Sequence, residues 1–315
     1  MNKKVVSIVS IIIILLIGGF AFTKLNNKPQ ESEKIEESIT IEHSSGKTEV
    51  KKNPETVVVL NYGALDVLDT LGVEVAALPA QGLPTYLEKY KDEKYVDLGG
   101  LKEFDLESIN ELNPDLIIIE GRQADYYEDL SSIAPTINLA GDSLDYIGSL
   151  EESATILGQI FDKEDEVYEK LESVKSELAE VKEEVESLNV DASLLFVADS
   201  SLSVFGEQSR FNMLYNEFGF TINDANVGDS KHGESISYEY VLEKNPDYIF
   251  IVDKNAVTGT DNNTAKEIVE NELVKKTKAY KNDKIIYLDS QAWYVGGTGF
   301  KAVETRINDI KEAIK

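Results

Sequence analysis

Trp293 is the only tryptophan of the chain, and it stands in QAWYVGGTG, residues 291–299, beside Tyr294 and just ahead of Gly296, Gly297 and Gly299. Aromatic rings next to a glycine cluster suit three purposes: a loop that cradles phosphate, a tight turn, or the rim of a ligand pocket. GGTG lacks the lysine and serine that a phosphate loop needs. A permissive turn that lets the backbone approach a ligand fits the residues better. Histidine chemistry is equally confined. The chain has two histidines, His43 near its start and His232 in the polar stretch SKHGES, so a zinc or manganese site built from several histidines is not expected. His43 reads as structural or solvated. Cysteine is absent, which excludes disulfides, thiolate metal sites and a thiol nucleophile.

Charge narrows the partners. A net charge of −27 repels nucleic acid backbones and anionic lipid surfaces alike. An anionic ligand therefore needs a locally basic pocket, and the arginines, Arg122, Arg210 and Arg306, become individually informative. Arg122 follows an apolar run, Arg210 sits in GEQSRF, and Lys254 follows a second apolar run.

These residues hang on a repeat. DLESINELNPDLIII (105–119) and SYEYVLEKNPDYIFI (237–251) match position by position: a short helix, Asn-Pro-Asp, then a strand whose continuous hydrophobicity marks burial on both faces. Each half also opens alike. TVVVL (56–60) precedes a helix through Ala64 and Leu71 that ends near Gly72, and SLLFVA (193–198) precedes a helix around Phe211 to Phe218 that ends near Gly219. Alternating strands and helices predict an α/β protein of two doubly wound parallel-sheet lobes, with a ligand cleft at the carboxyl ends of the strands. Between them Val167, Leu171, Val174, Leu178, Val181, Val185 and Leu188 alternate at four and three residues, a heptad stripe that reads as one long connector rather than a dimer seam. A single connector of that length limits the lobes to small relative rotations. The expected layout is a signal or anchor segment at 1–22, a polar tether at 23–37, a first lobe at 38–143, connecting helices at 144–188 and a second lobe at 189–315.

The start of the chain carries an address. Two lysines precede an apolar run from Val5 to Phe22, which reads as a secretion signal or a membrane anchor. Gly19 occupies the place where a lipoprotein signal requires cysteine, so lipidation is excluded. The protein is expected at the outer face of the cytoplasmic membrane or secreted, with the N-terminal segment as its membrane attachment.

From about Ile39 to Lys315 the sequence resembles the substrate-binding proteins of iron-siderophore and vitamin B12 ABC importers. KNPETVVVLNYGALDVLDTLG, GGLKEFDLESINELNPDLIIIEGR, SKHGESISYEYVLEKNPDYIFIVDK and YLDSQAWYVGG are most similar to the petrobactin-type, catecholate-binding branch. The NPD repeat marks the broad family; HGES together with AWYVGG is more specific. The resemblance implies no intrinsic cofactor and a ferric siderophore as ligand, with His232 and Tyr294 completing the coordination of iron. Fe(III) is a hard ion that favours phenolate and catecholate oxygen, and neutral imidazole can take a remaining position. It also implies a basic clamp of Arg122, Arg210 and Lys254, with Trp293 as a further ligand-binding residue. The branch commonly has arginine at Lys254, and lysine keeps the charge without the bidentate fork. Glu107 and Glu239, matched across the repeat, would dock the permease of the ABC importer as a monomer.

Two other readings stay open on residues alone. One is an enzyme on the same lobes, although no GxGxxG opens a helix after the first strand and neither a Walker loop nor GxSxG occurs. A Ser/His/Asp triad around His232 is a matter of geometry rather than spacing. The other is a haem- or cobalamin-binding member of the same family, since tyrosine and histidine both ligate haem iron.

Overall fold

The NPD repeat works as a clasp. Asn113 and Asn245 end their helices in the left-handed region, with φ of 46° and 47°, a conformation asparagine tolerates and most residues avoid. Proline then forbids continuation. The aspartate turns back onto the neighbouring strand: Asp115 Oδ2 accepts the N–H groups of Glu55 and Thr56 at 3.0 and 2.8 Å, and Asp247 exchanges hydrogen bonds with Asp191. Each clasp therefore sets the register between two parallel strands.

The computed structural model describes residues 37–228, 230, 233–259 and 264–315. The signal or anchor segment, nearly all of the tether, and His232 lie outside the described residues. Among the described residues no helix is long and apolar enough to cross a membrane.

The first lobe starts with an antiparallel hairpin, β1 (Ser38–His43) and β2 (Gly46–Lys51). Its sheet then follows with β3 (Val57–Val59), α1 (Tyr62–Thr70), β4 (Ala77–Leu78), β5 (Val96–Asp97), α2 (Leu106–Leu112), β6 (Leu116–Ile119), α3 (Tyr127–Ile133) and β7 (Thr136–Asn138). The order is β5-β4-β3-β6-β7, parallel throughout. Alternate residues feed opposite cores: Val57, Val59, Leu116 and Ile118 face one cluster, and Val58, Leu60, Ile117 and Ile119 the other. That is why these strands are apolar without interruption. Of the two readings of His43, structural or solvated, its contacts give the structural one. Its Nδ1 accepts the N–H of Ser45 at 3.2 Å, so Nε2 carries the proton that reaches Thr48 Oγ1 at 2.8 Å, and Thr48 ties the hairpin to Thr136 of β7.

The connector consists of α4 (Tyr146–Phe161) and α5 (Glu164–Leu188). The break falls at Asp162, in the left-handed region. Val167 through Val185 of the heptad stripe are buried within this chain, against α4 and the last helix, while Leu188 is exposed.

The second lobe holds β8 (Asp191–Ala198), β9 (Ser201–Phe205), α6 (Met213–Asn216), β10 (Thr221–Ile222), β11 (Glu234–Ile236), α7 (Tyr238–Lys244), β12 (Tyr248–Asp253), α8 (Lys254–Thr258), α9 (Ala265–Val269), α10 (Lys278–Lys281), β13 (Ile285–Tyr287), α11 (Ser290–Tyr294) and α12 (Phe300–Ala313). The α/β class holds, but this sheet is mixed. β8, β12 and β13 are parallel, whereas β8 and β9 form a hairpin and β11 adds antiparallel to β9. The cause is the two-residue turn Asp199–Ser200, where Asp199 adopts φ 53° and reverses the chain before any helix can form. The helix expected around Phe211 to Phe218 shortens to the single turn of α6.

The two lobes and connector cluster as one unit, and α12 supplies a second joint between the lobes. It packs on α1 and α5. Gly299 at its N-cap has no side chain to satisfy the first N–H groups of the helix. Asp66 of α1 does so instead, accepting from Lys301 and Ala302 at 3.1 and 3.0 Å.

Candidate functional site

Tyr294 closes α11, a short helix capped by Asp289, whose carboxylate accepts the N–H groups of Gln291 and Ala292. Its ring is half-buried, 5.3 Å from that of Phe196 on β8. Arg210 reaches over it, with Cζ 4.8 Å from the ring centroid and Nη2 donating to the Tyr294 carbonyl at 2.7 Å. This double contact fixes the ring and places a guanidinium on its face. The Tyr294 hydroxyl makes no hydrogen bond to a described residue, so its oxygen is available.

Across from this pair, the end of β6 presents Glu120 and Arg122. Arg122 Nε lies 3.3 Å from Glu120 Oε1 in a partly exposed ion pair. Glu120 also forms a reciprocal capping box with Gln123 at the start of the turn Gly121–Tyr126. Gln123 in turn donates to the Leu101 carbonyl at 2.6 Å, which anchors the turn to the lobe. Arg210 is close enough to act electrostatically on both Glu120 and Arg122. The structure thus brings Arg122, Arg210 and Tyr294 together from two lobes. The result is a cationic face with an aromatic phenol at its edge, suited to a planar, oxygen-rich anion.

Other expected residues sit differently. Lys254 begins α8 seven positions after Asp247, the same offset that separates Arg122 from Asp115. It is half-buried and forms no ion pair among the described residues, but no contact joins it to Arg210 or Tyr294. Trp293 does not line the cleft. It is 4 % exposed, its indole N–H donates to Asp309 Oδ2 at 2.9 Å, and its ring packs near Phe218. Because successive residues of a helix point in different directions, Tyr294 can face outward only with Trp293 turned into the core. Arg306 is likewise structural: it donates through Nε and Nη2 to the Ala292 carbonyl at 3.2 and 2.6 Å and lies 4.0 Å from the Tyr146 ring.

The glycines also need a different account. A Cβ on Gly296 would stand 2.4 Å from the Tyr86 hydroxyl, and one on Gly299 would stand 2.1 Å from Asp66 Oδ2. Gly63 of α1 faces Thr298 in the same way, with a virtual Cβ 2.7 Å from its nitrogen. The close approach is therefore between lobe and lobe rather than between backbone and ligand.

Glu107 and Glu239 are exposed, each the second residue of its helix, after N-caps Asp105 and Ser237. Two hollows lie apart from the Arg–Tyr face. One of about 260 Å³ is lined by His43, Asn138 and Glu152, and another of about 530 Å³ lies beside Asp253, Tyr287 and Gln291. Sequence reasoning missed Glu120 and Phe196. Glu120 stands two residues ahead of Arg122, a charge pair at a strand end that could have drawn notice.

The family model described as periplasmic binding protein matches residues 57–292. The chain belongs to this family. It is 40% identical over 319 residues to the petrobactin-binding protein YclQ of Bacillus subtilis, covering 100% of both chains. It is 30% identical to the ferric-anguibactin-binding protein FatB of Vibrio anguillarum, covering 88% of this chain and 87% of that one. The crystal structure of YclQ superposes with a TM-score of 0.85 over 89% of this chain and 99% of the other, at 43% identity. The catecholate-siderophore binding protein VctP of Vibrio cholerae gives 0.82 at 39% identity, over 88% of this chain and 100% of that one. These periplasmic binding proteins are named for ligands they hold rather than reactions they perform. Among the described residues no group of three or more His, Asp or Glu could hold a resident metal ion.

Proposed function

We propose that this periplasmic binding protein captures a ferric siderophore, a catecholate of the petrobactin type, between its lobes and delivers it to an ABC importer. The observation that carries the reading is the Arg210–Tyr294 pair, seated opposite Arg122. A ferric bis-catecholate is anionic and leaves part of the iron coordination shell open. Arg122 and Arg210 offset its charge, and the free phenol of Tyr294 offers a hard oxygen. Iron bound there would favour the phenolate, because a metal cation stabilises the ionised form. His232 is the second proposed iron ligand. Lys254 adds charge at the neighbouring strand end. Trp293 supports Tyr294 from behind rather than touching the ligand.

Glu107 and Glu239 are the proposed docking pair for the permease, one per lobe. The protein acts as a monomer on the outer side of the cytoplasmic membrane, held there by its N-terminal segment unless that segment is cleaved. The relatives YclQ, FatB and VctP support the ligand class.

Titration with the ferric complex of a linear bis-catecholamide, followed by Trp293 fluorescence, tests the reading. Quenching that saturates is expected, and Tyr294→Phe should weaken binding about tenfold or more while shifting the iron charge-transfer band, the signature of a lost phenolate. Absence of binding by any ferric catecholate, or an intense Soret band formed with haem instead, would overturn it.

A further inference from the structure

Glu120 is an odd neighbour for a site that should attract anions. Its side chain is 25% exposed, and it pairs with Arg122 at 3.3 Å while lying within electrostatic reach of Arg210 from the other lobe. It is also held in place: its N–H donates to Gln123 Oε1 at 3.2 Å, and the capping box points its carboxylate back into the turn. In the ligand-free protein this carboxylate partly neutralises the two guanidinium groups that would otherwise repel each other.

We propose that Glu120 is a built-in counter-anion of the cleft, displaced electrostatically by an anionic ligand, and that ligand binding is consequently coupled to proton uptake at Glu120. This rests on the reading of the cleft as a site for an anionic ferric complex.

The argument is one of charge balance. Arg122 and Arg210 cannot serve two anions as well as one. When a ligand oxyanion takes their hydrogen bonds, Glu120 is left beside a second negative charge in a less hydrated place, and its neutral form is favoured. Burial already lifts the Glu120 carboxyl above its ordinary value, and Arg122 and then Arg210 draw it back down. A ligand that occupies those arginines removes the restraint. Among the described residues, Tyr294 and Arg306 also act on Arg210, and Tyr62, itself near Asp97, feels Arg122.

Two consequences follow. Affinity for an anionic complex falls as pH rises, because the bound state holds more protons than the free state. A neutral ferric tris-hydroxamate, which brings no charge to the arginines, does not displace Glu120 and shows no such coupling. Glu120 thus biases the cleft by ligand charge.

The test is isothermal titration of the full chain with the ferric bis-catecholamide, in buffers of different ionisation enthalpy, from mildly acidic to neutral pH. Wild-type binding should take up a fraction of a proton. Glu120→Gln, which mimics the protonated residue, should bind about tenfold more tightly at neutral pH. The gap should shrink on acidification, and proton uptake should fall. Comparing the two proteins at each pH cancels the titration of the ligand itself. Equal or weaker binding by Glu120→Gln at every pH would mean that Glu120 only positions Arg122, and would overturn the inference. So would an absence of proton uptake in the wild type, a measurement that stands even if the variant does not fold. If the wild type binds no ferric catecholate at all, the functional reading falls first and takes this one with it.

Discussion

Asp66 lets the joint between the lobes be measured by pH. It is wholly buried on α1, its oxygens accept the first N–H groups of α12, and its neighbours include Lys301, Asp69, Tyr86 and Tyr146. Two effects compete. Backbone donors favour the carboxylate, and desolvation favours the acid. Desolvation is the larger, raising the group from 3.8 to about 7. A carboxyl that binds its proton more tightly in the folded chain stabilises the fold fully below its unfolded value, and that stabilisation is lost as pH rises towards and through about 7. For a single group with these values, the loss between about pH 5 and about pH 8 is roughly 2.5 kcal/mol. Asp66→Asn does not titrate. It also offers one acceptor oxygen where two N–H groups need one each, which adds a pH-independent cost of about 1–3 kcal/mol. Urea unfolding of both proteins across that range should therefore show the gap in favour of wild type shrinking by roughly 2.5 kcal/mol as pH rises, so that it is most favourable to wild type at the acidic end. A gap independent of pH would mean that Asp66 does not titrate there. A gap that widens as pH rises would mean that the helix donors outweigh burial and keep Asp66 ionised, refuting the reasoning.

The glycine contacts predict a graded response. Gly63→Ala forces a Cβ to within 2.7 Å of the Thr298 nitrogen, a backbone atom that cannot swing aside, and should cost about 1–3 kcal/mol. Gly121→Ala, whose nearest neighbour would be Ala140 Cβ at 3.6 Å, should stay within about 0.5 kcal/mol of wild type; equal melting temperatures for the two variants would refute the packing account. Reversing Glu107 and Glu239 together to arginine should leave the Kd for the ferric complex within about twofold and cut uptake into importer-bearing vesicles by about tenfold or more. A parallel loss of binding would remove the docking assignment.

What could be read ahead of the structure, and what could not, divides along one physical line. The NPD repeat was legible because its causes are local: a helix ending at a left-handed asparagine, a proline that blocks continuation, and a strand buried on both faces. The offset of seven residues from each aspartate to Arg122 and Lys254 follows from that local order. The heptad stripe was legible for the same reason, as periodicity identifies the buried face of a helix. Periodicity is silent on what covers that face. Nothing near Gly299 announces that its helix will be capped by the carboxylate of Asp66, 235 residues before Lys301, and nothing near Gly296 distinguishes a ligand from Tyr86 as the object it must approach. The antiparallel hairpin at Asp199 was missed because a two-residue turn competes with a helix connection only through one backbone angle. Trp293 and Tyr294 are adjacent in sequence yet divided between core and cleft, since the direction of each depends on how α11 is seated. Glu120 belongs to the same class. Beside Arg122 alone it is an ordinary ion pair at a strand end, and only the arrival of Arg210 from the other lobe gives it a second cationic neighbour. Residues whose surroundings depend on a partner from the opposite lobe are the ones that sequence leaves unread.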